Sequence, residues 1–529
     1  MSVRKTDSSR KVLGQGVSHE SLTIKATLNA FAAALDYGAR LAVGFLINPL
    51  LVSGLGNYGF GAWQVLSRLM SYLAPASGRP TQALKWTIAN QQASVDHEEK
   101  RRSVGSAVAV WLLFLPVLLL FGGSLGWFAP AWLKAPVESS WSIRWAAVLL
   151  AADLILTSLV ELPRSVLEGE NLGYKRMGMS TMLVFFGGGL TALALFLNAG
   201  LTGVAAATLA ATLLTGVLYL VVTRTYVPWF GIARPSFESV RRFLGLSSWF
   251  LVWNLVMKLM RASDVVVLGT LGSVESVTTY SLTKYVPESI ISFVAIVVFG
   301  ITPGLGKLVG AGNLKKVAQV RNEIMSLTWL IMTVVGSTIL LWNPSFLRLW
   351  VTADYDAGSI STLLIVLMVA QFVLIRNDAN LIDLTLNLRS KVLLGLFSTT
   401  LALAIAGVLV SVFKMGIVGL CCGFIAGRSI LSLGYPWLIG RFLGIPLAAQ
   451  LKAVVRPALV TVLLWVPLSR LGYVGTESSW LGLVFSVGAT LAVLFLVAFY
   501  TGLASDQRDQ ILLRVRMLAQ RVNADGGVV

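Results

Sequence analysis

Apolar residues run in long blocks along this chain, and short polar stretches rich in Lys and Arg separate them. Val104–Phe128, Val204–Val222 and Leu481–Tyr500 are examples. A helix needs about 20 such residues to cross a bilayer. The blocks predict an all-α integral membrane fold of about fourteen transmembrane helices. The spans fall at about 27–53, 58–77, 104–129, 143–163, 178–198, 202–223, 243–270, 276–302, 322–343, 358–385, 391–413, 415–437, 451–470 and 477–503, with edges good to a few residues.

Composition agrees. Of 529 residues, 56% are hydrophobic and 12% charged, with mean hydropathy +0.78. A soluble domain carries about 25% charged residues, so these charges are too few to cover the cores that a soluble chain of this length would bury.

The net charge of +18 would suggest nucleic acid in a soluble protein. Here the cations sort by side of the membrane instead. Arg4, Lys5, Arg10, Lys11 and Lys25 lie in the N-terminal tail, and Arg79, Lys85, Lys100, Arg101 and Arg102 lie between spans 2 and 3. Arg164, Lys175 and Arg176 follow span 4, Arg224, Arg234, Arg241 and Arg242 follow span 6, and Lys307, Lys315, Lys316 and Arg321 follow span 8. The opposite side holds only Lys134, Arg144, Arg348, Lys414 and Arg470. The positive-inside rule then puts both termini in the cytoplasm, with the protein multi-pass in the cell inner membrane. The N-terminus lacks the apolar stretch of a removable signal. Cys421 and Cys422 are adjacent inside an apolar block, which excludes a disulfide framework, and two histidines with no zinc spacing predict no metal and no cofactor. The segment Asp506–Val522 alternates apolar and basic residues and fits an amphipathic or solvated tail helix equally well.

One shift of 216 residues pairs features of the two halves: Leu55-Gly56 with Leu271-Gly272, Arg68 with Lys284, Asn171-Leu172 with Asn387-Leu388, and Lys175 with Lys391. It also sets Asn-Ala-Gly-Leu-Thr-Gly at 198–203 on Lys-Met-Gly-Ile-Val-Gly at 414–419. The shift maps span 1 on span 7 and span 6 on span 12, which predicts two parallel six-helix lobes plus two extra C-terminal helices. Repeats of this kind place substrate between them near the midplane. The expected layout is a tail over 1–26, an N-lobe over 27–223, a linker over 224–242, a C-lobe over 243–440, helices 13 and 14 over 441–503, and a tail over 504–529.

Ionisable residues inside spans are costly and are functional candidates by default. Spans 1, 2, 7 and 8 contain the cations Arg40, Arg68, Lys258, Arg261 and Lys284 and the anions Asp36, Asp264 and Glu288. Asp36/Arg40 and Lys284/Glu288 are spaced i, i+4 and Arg261/Asp264 i, i+3, so each pair can neutralise itself on one helix face. The remaining excess is positive. The five cations are expected to bind an anionic headgroup in a central cavity, because Arg and Lys pair strongly with phosphate. The three acids are candidates for charge balance or coupling. Asp153, Arg376, Asp378 and Arg428 also fall within spans, and Arg376 and Asp378, two apart, read as structural. No nucleotide loop GxxxxGK[ST], HExxH or GxSxG pattern is present, so no catalytic residue and no enzyme activity are expected.

Several stretches resemble the Wzx-like polysaccharide flippases of the multidrug/oligosaccharidyl-lipid/polysaccharide exporter superfamily. They are SGLGNYGFGAW (53–63), SDVVVLGTLGSVESVTTYSLTKYV (263–286), TPGLGKLVGAGNLKKV (302–317) and FLRLWV (346–351). The resemblance implies alternating access between two lobes, moving a polyprenyl-pyrophosphate-linked oligosaccharide from the inner to the outer leaflet for cell-surface polysaccharide biosynthesis. It implies membrane lipid and a lipid-linked glycan as partners, with polysaccharide polymerase and glycosyltransferases as candidates and no nucleic acid. Four alternatives stand beside it: an ion-coupled multidrug or small-solute exporter of the same superfamily, a lipid II flippase, a facilitator-type transporter, and a membrane glycosyltransferase or ligase. The facilitator reading lacks its loop motif after span 2, and the enzyme reading lacks catalytic carboxylates and a large outer loop.

Overall fold

The computed structural model describes residues 8–74, 80–91, 94–170, 178–245, 248–310, 312–384, 388–472 and 477–509 (Asp506 apart), together with Leu172 and Lys175, and the side chains from Leu35 onward at most of these positions. The basic segment 506–522 lies almost wholly outside them. Among the described residues the structure is helical, with a 3-10 turn at Ala353–Tyr355 and no strand. The helices are α1 (Ser8–Leu73), α2 (Pro80–Asn90), α3 (His97–Trp132), α4 (Val137–Gly169), α5 (Met179–Phe196), α6 (Gly200–Tyr226), α7 (Phe237–Gly245), α8 (Ser248–Leu271), α9 (Val274–Gly310), α10 (Leu314–Trp350), α11 (Ser359–Leu384), α12 (Leu388–Ser411), α13 (Gly416–Leu443), α14 (Leu447–Leu471) and α15 (Trp480–Gly502).

Eleven of these are long and apolar enough to span a membrane among the described residues. The first of the eleven holds two predicted spans, because α1 kinks at Gly56 (φ 70°, ψ 176°), a backbone conformation that only glycine adopts at low cost. α8 and α9, which carry many of the interior charges, are as long as the others but fall outside the eleven. Fourteen long helices result, and the chain is a multi-pass membrane protein. Its surface fits that reading: Leu463 is 71% exposed, Leu481 80% and Phe485 81%, side chains that water would not support at this density.

The chain divides into two compact units, Met1–Leu255 and Val256–Val529. In the first, α4 touches α6, α3, α2 and α1. The polar segment between spans 2 and 3, expected as a loop, instead contains α2. Leu84 and Ile88, one turn apart, are fully buried with Val104 and Ala107 of α3, Val166 and Leu167 of α4, and Trp229. The expected linker likewise contains α7, whose Val240 and Leu244 pack on the same core. Cations assigned to the inner side fix this end. Lys100 Nζ meets Glu170 at 2.9 Å, Trp229 Nε1 donates to the same carboxylate at 3.2 Å, and Lys85 pairs with Glu168 at 2.9 Å.

In the second unit α12 and α13 lie tightly together because Gly423 and Gly427 face Ala406 and Ala402; a Cβ on either glycine would come within 2.4 Å or less of a neighbouring backbone atom. The two extra helices pack on α10. Leu494, Ala498 and Phe499 of α15 cover Leu330 and Val334, Thr461 of α14 hydrogen-bonds Thr333 at 2.6 Å, and Gly336 admits Trp465.

The turn into α6 and the turn into α13 have the same local form. Asn198 and Gly200 have φ of 53° and 60°, and Lys414 and Gly416 have 55° and 52°. Gly203 and Gly419 each sit where a Cβ would clash, against Ala199 and Met415. The 216-residue shift pairs all six of these residues.

Candidate functional site

α8 and α9 form a hairpin closed at Ser273, whose Oγ accepts from the Ser276 N–H at 3.1 Å. The hairpin brings the acid of one helix against the base of the other. Lys284 Nζ lies 2.5 Å from Asp264 Oδ2, and the Tyr280 hydroxyl donates to the same oxygen at 2.6 Å. Asp264 Oδ1 accepts from the Val265 N–H at 2.9 Å. Asp264, Tyr280 and Lys284 are all buried. Glu288 is spread between two cations, 3.9 Å from Lys284 and 4.0 Å from Arg261. Pairing within single helices was expected, yet the shortest contact crosses the hairpin.

α13 contributes a third wall. Arg428 is buried, donates to the Met260 carbonyl of α8, and stacks over Phe424 and Phe372 at 4.9 and 5.4 Å. A small open recess results, lined by Arg261, Asp264, Lys284, Glu288 and Arg428 with Met260, Met368 and Phe372. The structure thus collects four of the predicted residues in one place. Lys258 lies half-buried one turn before Arg261 on α8. Arg376 of α11, read as structural from the sequence, is an electrostatic neighbour of Arg261. Asp378 does serve structure: its carboxylate takes both arms of Arg321 at 2.9 Å. Arg321, assigned to a loop, is buried inside α10, which begins earlier than the predicted span.

The other predicted residues belong to the first unit. Asp36 accepts from Ser180 Oγ at 2.6 Å and Thr181 Oγ1 at 3.0 Å, which ties α1 to α5. Arg40, one turn on, is exposed, and Arg68 is half-buried beyond the kink. Tyr280 was not among the predicted site residues, although it falls one turn before Lys284 in a stretch the sequence singled out. Among the described residues no group of His, Cys, Asp and Glu could hold a metal ion.

The comparisons with known proteins bear on this geometry. The chain has the fold of the MATE transporters of the MOP superfamily. An inward-facing multidrug resistance MATE family transporter of that superfamily superposes with a TM-score of 0.61 at 16% identity, covering 79% of this chain and 99% of its own. An outward-facing one gives 0.53 at 16%, covering 81% and 97%. A MOP superfamily transporter from Pyrococcus furiosus, described as having a binding pocket of reverse polarity, gives 0.52 at 17%, covering 79% and 95%. Separately, the family model "Polysaccharide biosynthesis protein" matches residues 142–332, a stretch that includes α8, α9 and the Asp264–Lys284 pair. No curated protein matches the chain.

Proposed function

We propose that this protein is an exporter of the MOP fold that moves a polyprenyl-pyrophosphate-linked oligosaccharide from the inner to the outer leaflet by alternating access. The match to polysaccharide biosynthesis proteins and the transporter fold support the class. One observation carries the substrate chemistry. The recess is lined by Arg261, Lys284 and Arg428 against Asp264 and Glu288, so cations outnumber acids three to two, and Arg376 adds to the positive field at Arg261. A low-dielectric site with that balance favours a multiply charged anion. Arg261 is the phosphate ligand we favour, since its side chain is 39% exposed while that of Lys284 is 7% exposed and committed to Asp264. On this reading both termini face the cytoplasm, and the membrane is the inner one.

The test is a glycan-export assay with protein levels checked. Losing one charged hydrogen bond to phosphate costs about 1.5–3 kcal/mol, so Arg261→Gln should slow export about 10–100-fold. Export at the wild-type rate from a normally inserted Arg261→Gln protein rejects the assignment. The fold neighbours also support a multidrug exporter. Efflux of a lipophilic cation, with glycan export unaffected by deletion, would establish that reading; the surplus of positive charge opposes it.

A further inference from the structure

The start of α12 and the end of α13 lie side by side, and the Tyr435 hydroxyl of α13 donates to the Lys391 carbonyl of α12 at 3.2 Å. Beside this contact runs an open-sided groove of about 700 Å³. Pockets for small ligands have volumes of about 300–1,000 Å³. Ser390, in the first turn of α12, and Arg441, in the last turn of α13, are its polar groups. Its wall continues along Leu393 and Phe397 of α12 and Trp437 and Phe442 of α13. Phe397 is two helical turns, about 10 Å, further into the span than Ser390. The groove thus has a polar end where the helices leave the membrane and an apolar wall inside it, the profile of an amphiphile.

The charge at the polar end is positive. Among the described residues no acid lines the groove. The nearby acid, Asp383 of α11, is held by Lys391 Nζ at 2.6 Å. Arg441 is exposed and stacks over the Trp437 ring at 5.1 Å. Stacking orients a guanidinium while its edge keeps N–H donors for a phosphate. Arg389, next to Ser390, is exposed as well. An arginine at the end of any spanning helix can reach the headgroups, and exposed Arg470 in the last turn of α14 is of that kind. Arg441 differs: a hydroxyl from a second helix shares its groove, and an apolar wall leads away from it. Basic pockets between spanning helices bind anionic headgroups. A zwitterionic headgroup would find no acid here for its ammonium.

We propose that this groove holds one anionic phospholipid of the surrounding membrane. Its phosphate takes donors from Arg441 and Ser390, and one acyl chain lies along Leu393, Phe397 and Trp437. The open side leaves the second chain in the bilayer. None of these residues lines the Asp264 recess, and the site does not depend on the exporter reading.

Native mass spectrometry of the full chain, titrated with phosphatidylglycerol or phosphatidylcholine, reads the first binding step. Phosphatidylglycerol should bind the wild type more tightly. Arg441→Gln removes one charged hydrogen bond and should weaken phosphatidylglycerol about tenfold, leaving phosphatidylcholine unchanged. Arg441→Lys should recover part of the loss, and Arg470→Gln should change neither lipid. Ser390→Asp sets an anion beside the phosphate and should cost as much as Arg441→Gln; it carries the test if Arg441→Gln inserts poorly. A phosphatidylglycerol with a diazirine on its acyl chain should label the peptides holding Phe397 or Trp437, and lose that label in Arg441→Gln. Wild-type affinity in Arg441→Gln or Ser390→Asp, an equal loss in Arg470→Gln, or labelling confined to other helices overturns the proposal. So does displacement of phosphatidylglycerol by an equal concentration of polyprenyl phosphate, which would give the groove to a carrier lipid instead.

Discussion

Asp264 and Asp153 are both aspartates inside apolar helices, one in each compact unit, and their neighbours set them apart. Asp264 receives a lysine, a tyrosine hydroxyl and a backbone N–H. Asp153 has one oxygen, Oδ1, that is buried and accepts no hydrogen bond. The difference extends to the helix after each turn. Thr212 on α6 and Arg428 on α13 are related by the same 216-residue shift that superimposes the turns before them. At that position the first unit has a neutral hydroxyl, and the second has a cation that braces α8. Two acids inside apolar helices therefore differ: Asp264 has a fixed cationic partner, and Asp153 keeps an oxygen with none. A fixed pair suits a site that keeps its shape while an anion comes and goes.

The comparison breaks first at Asp264. Removing one member of a buried pair strands the other as an uncompensated charge, which costs about 3–5 kcal/mol. Asp264→Ala should destabilise the purified protein by about that margin, read as a lower thermal midpoint. Adding Lys284→Gln to Asp264→Asn should recover much of the loss, because the double variant leaves no stranded charge. Asp153→Asn should change stability by about 0.5 kcal/mol or less, as an exchange of near-isosteric neutral groups. Equal losses at the two aspartates would show that Asp153 is also an anion with a partner, and the contrast would fail.

Arg428 comes next. Its guanidinium satisfies the Met260 carbonyl and is covered by two phenylalanine rings. Arg428→Gln keeps a donor but loses the charge and the reach, and we expect a cost of about 1–3 kcal/mol. Thr212→Val, at the matching place in the first unit, should cost less.

How much of this was legible in the sequence follows from how far each feature reaches along the chain. Spans of about 20 apolar residues announce themselves, and so do turns built on glycines at matched positions. α2 and α7 did not, because each buries only two or three residues on a stripe one or two turns long, as Leu84 and Ile88 show. The charged residues of the site were visible, but their partners were not. Spacing on one helix suggests i, i+3 and i, i+4 pairs, whereas Lys284 reaches Asp264 across a hairpin. Arg321 looked like a loop cation because α10 continues past the apolar stretch, and only the fold shows Asp378 waiting for it. Asp153 carried no motif at all; its interest lies in what surrounds it.

The smallest effect tests whether the two units share a scaffold. Gly200 and Gly416 both have positive φ, near 60° and 52°, where an L side chain is strained. Open space surrounds both, so a methyl group would meet nothing and conformational strain alone should be felt. That strain is about 1–2 kcal/mol for a residue forced into the left-handed region. Gly200→Ala and Gly416→Ala should each lower stability by about that amount, and by the same amount within error. The double variant should show the sum, since the two turns share no partners. Equal and additive losses would confirm that the turns are one structural device used twice, against which the different acids stand out. A large loss at one and none at the other would mean that the matched dihedral angles are coincidence, and the comparison between Asp153 and Asp264 would then lose its common frame.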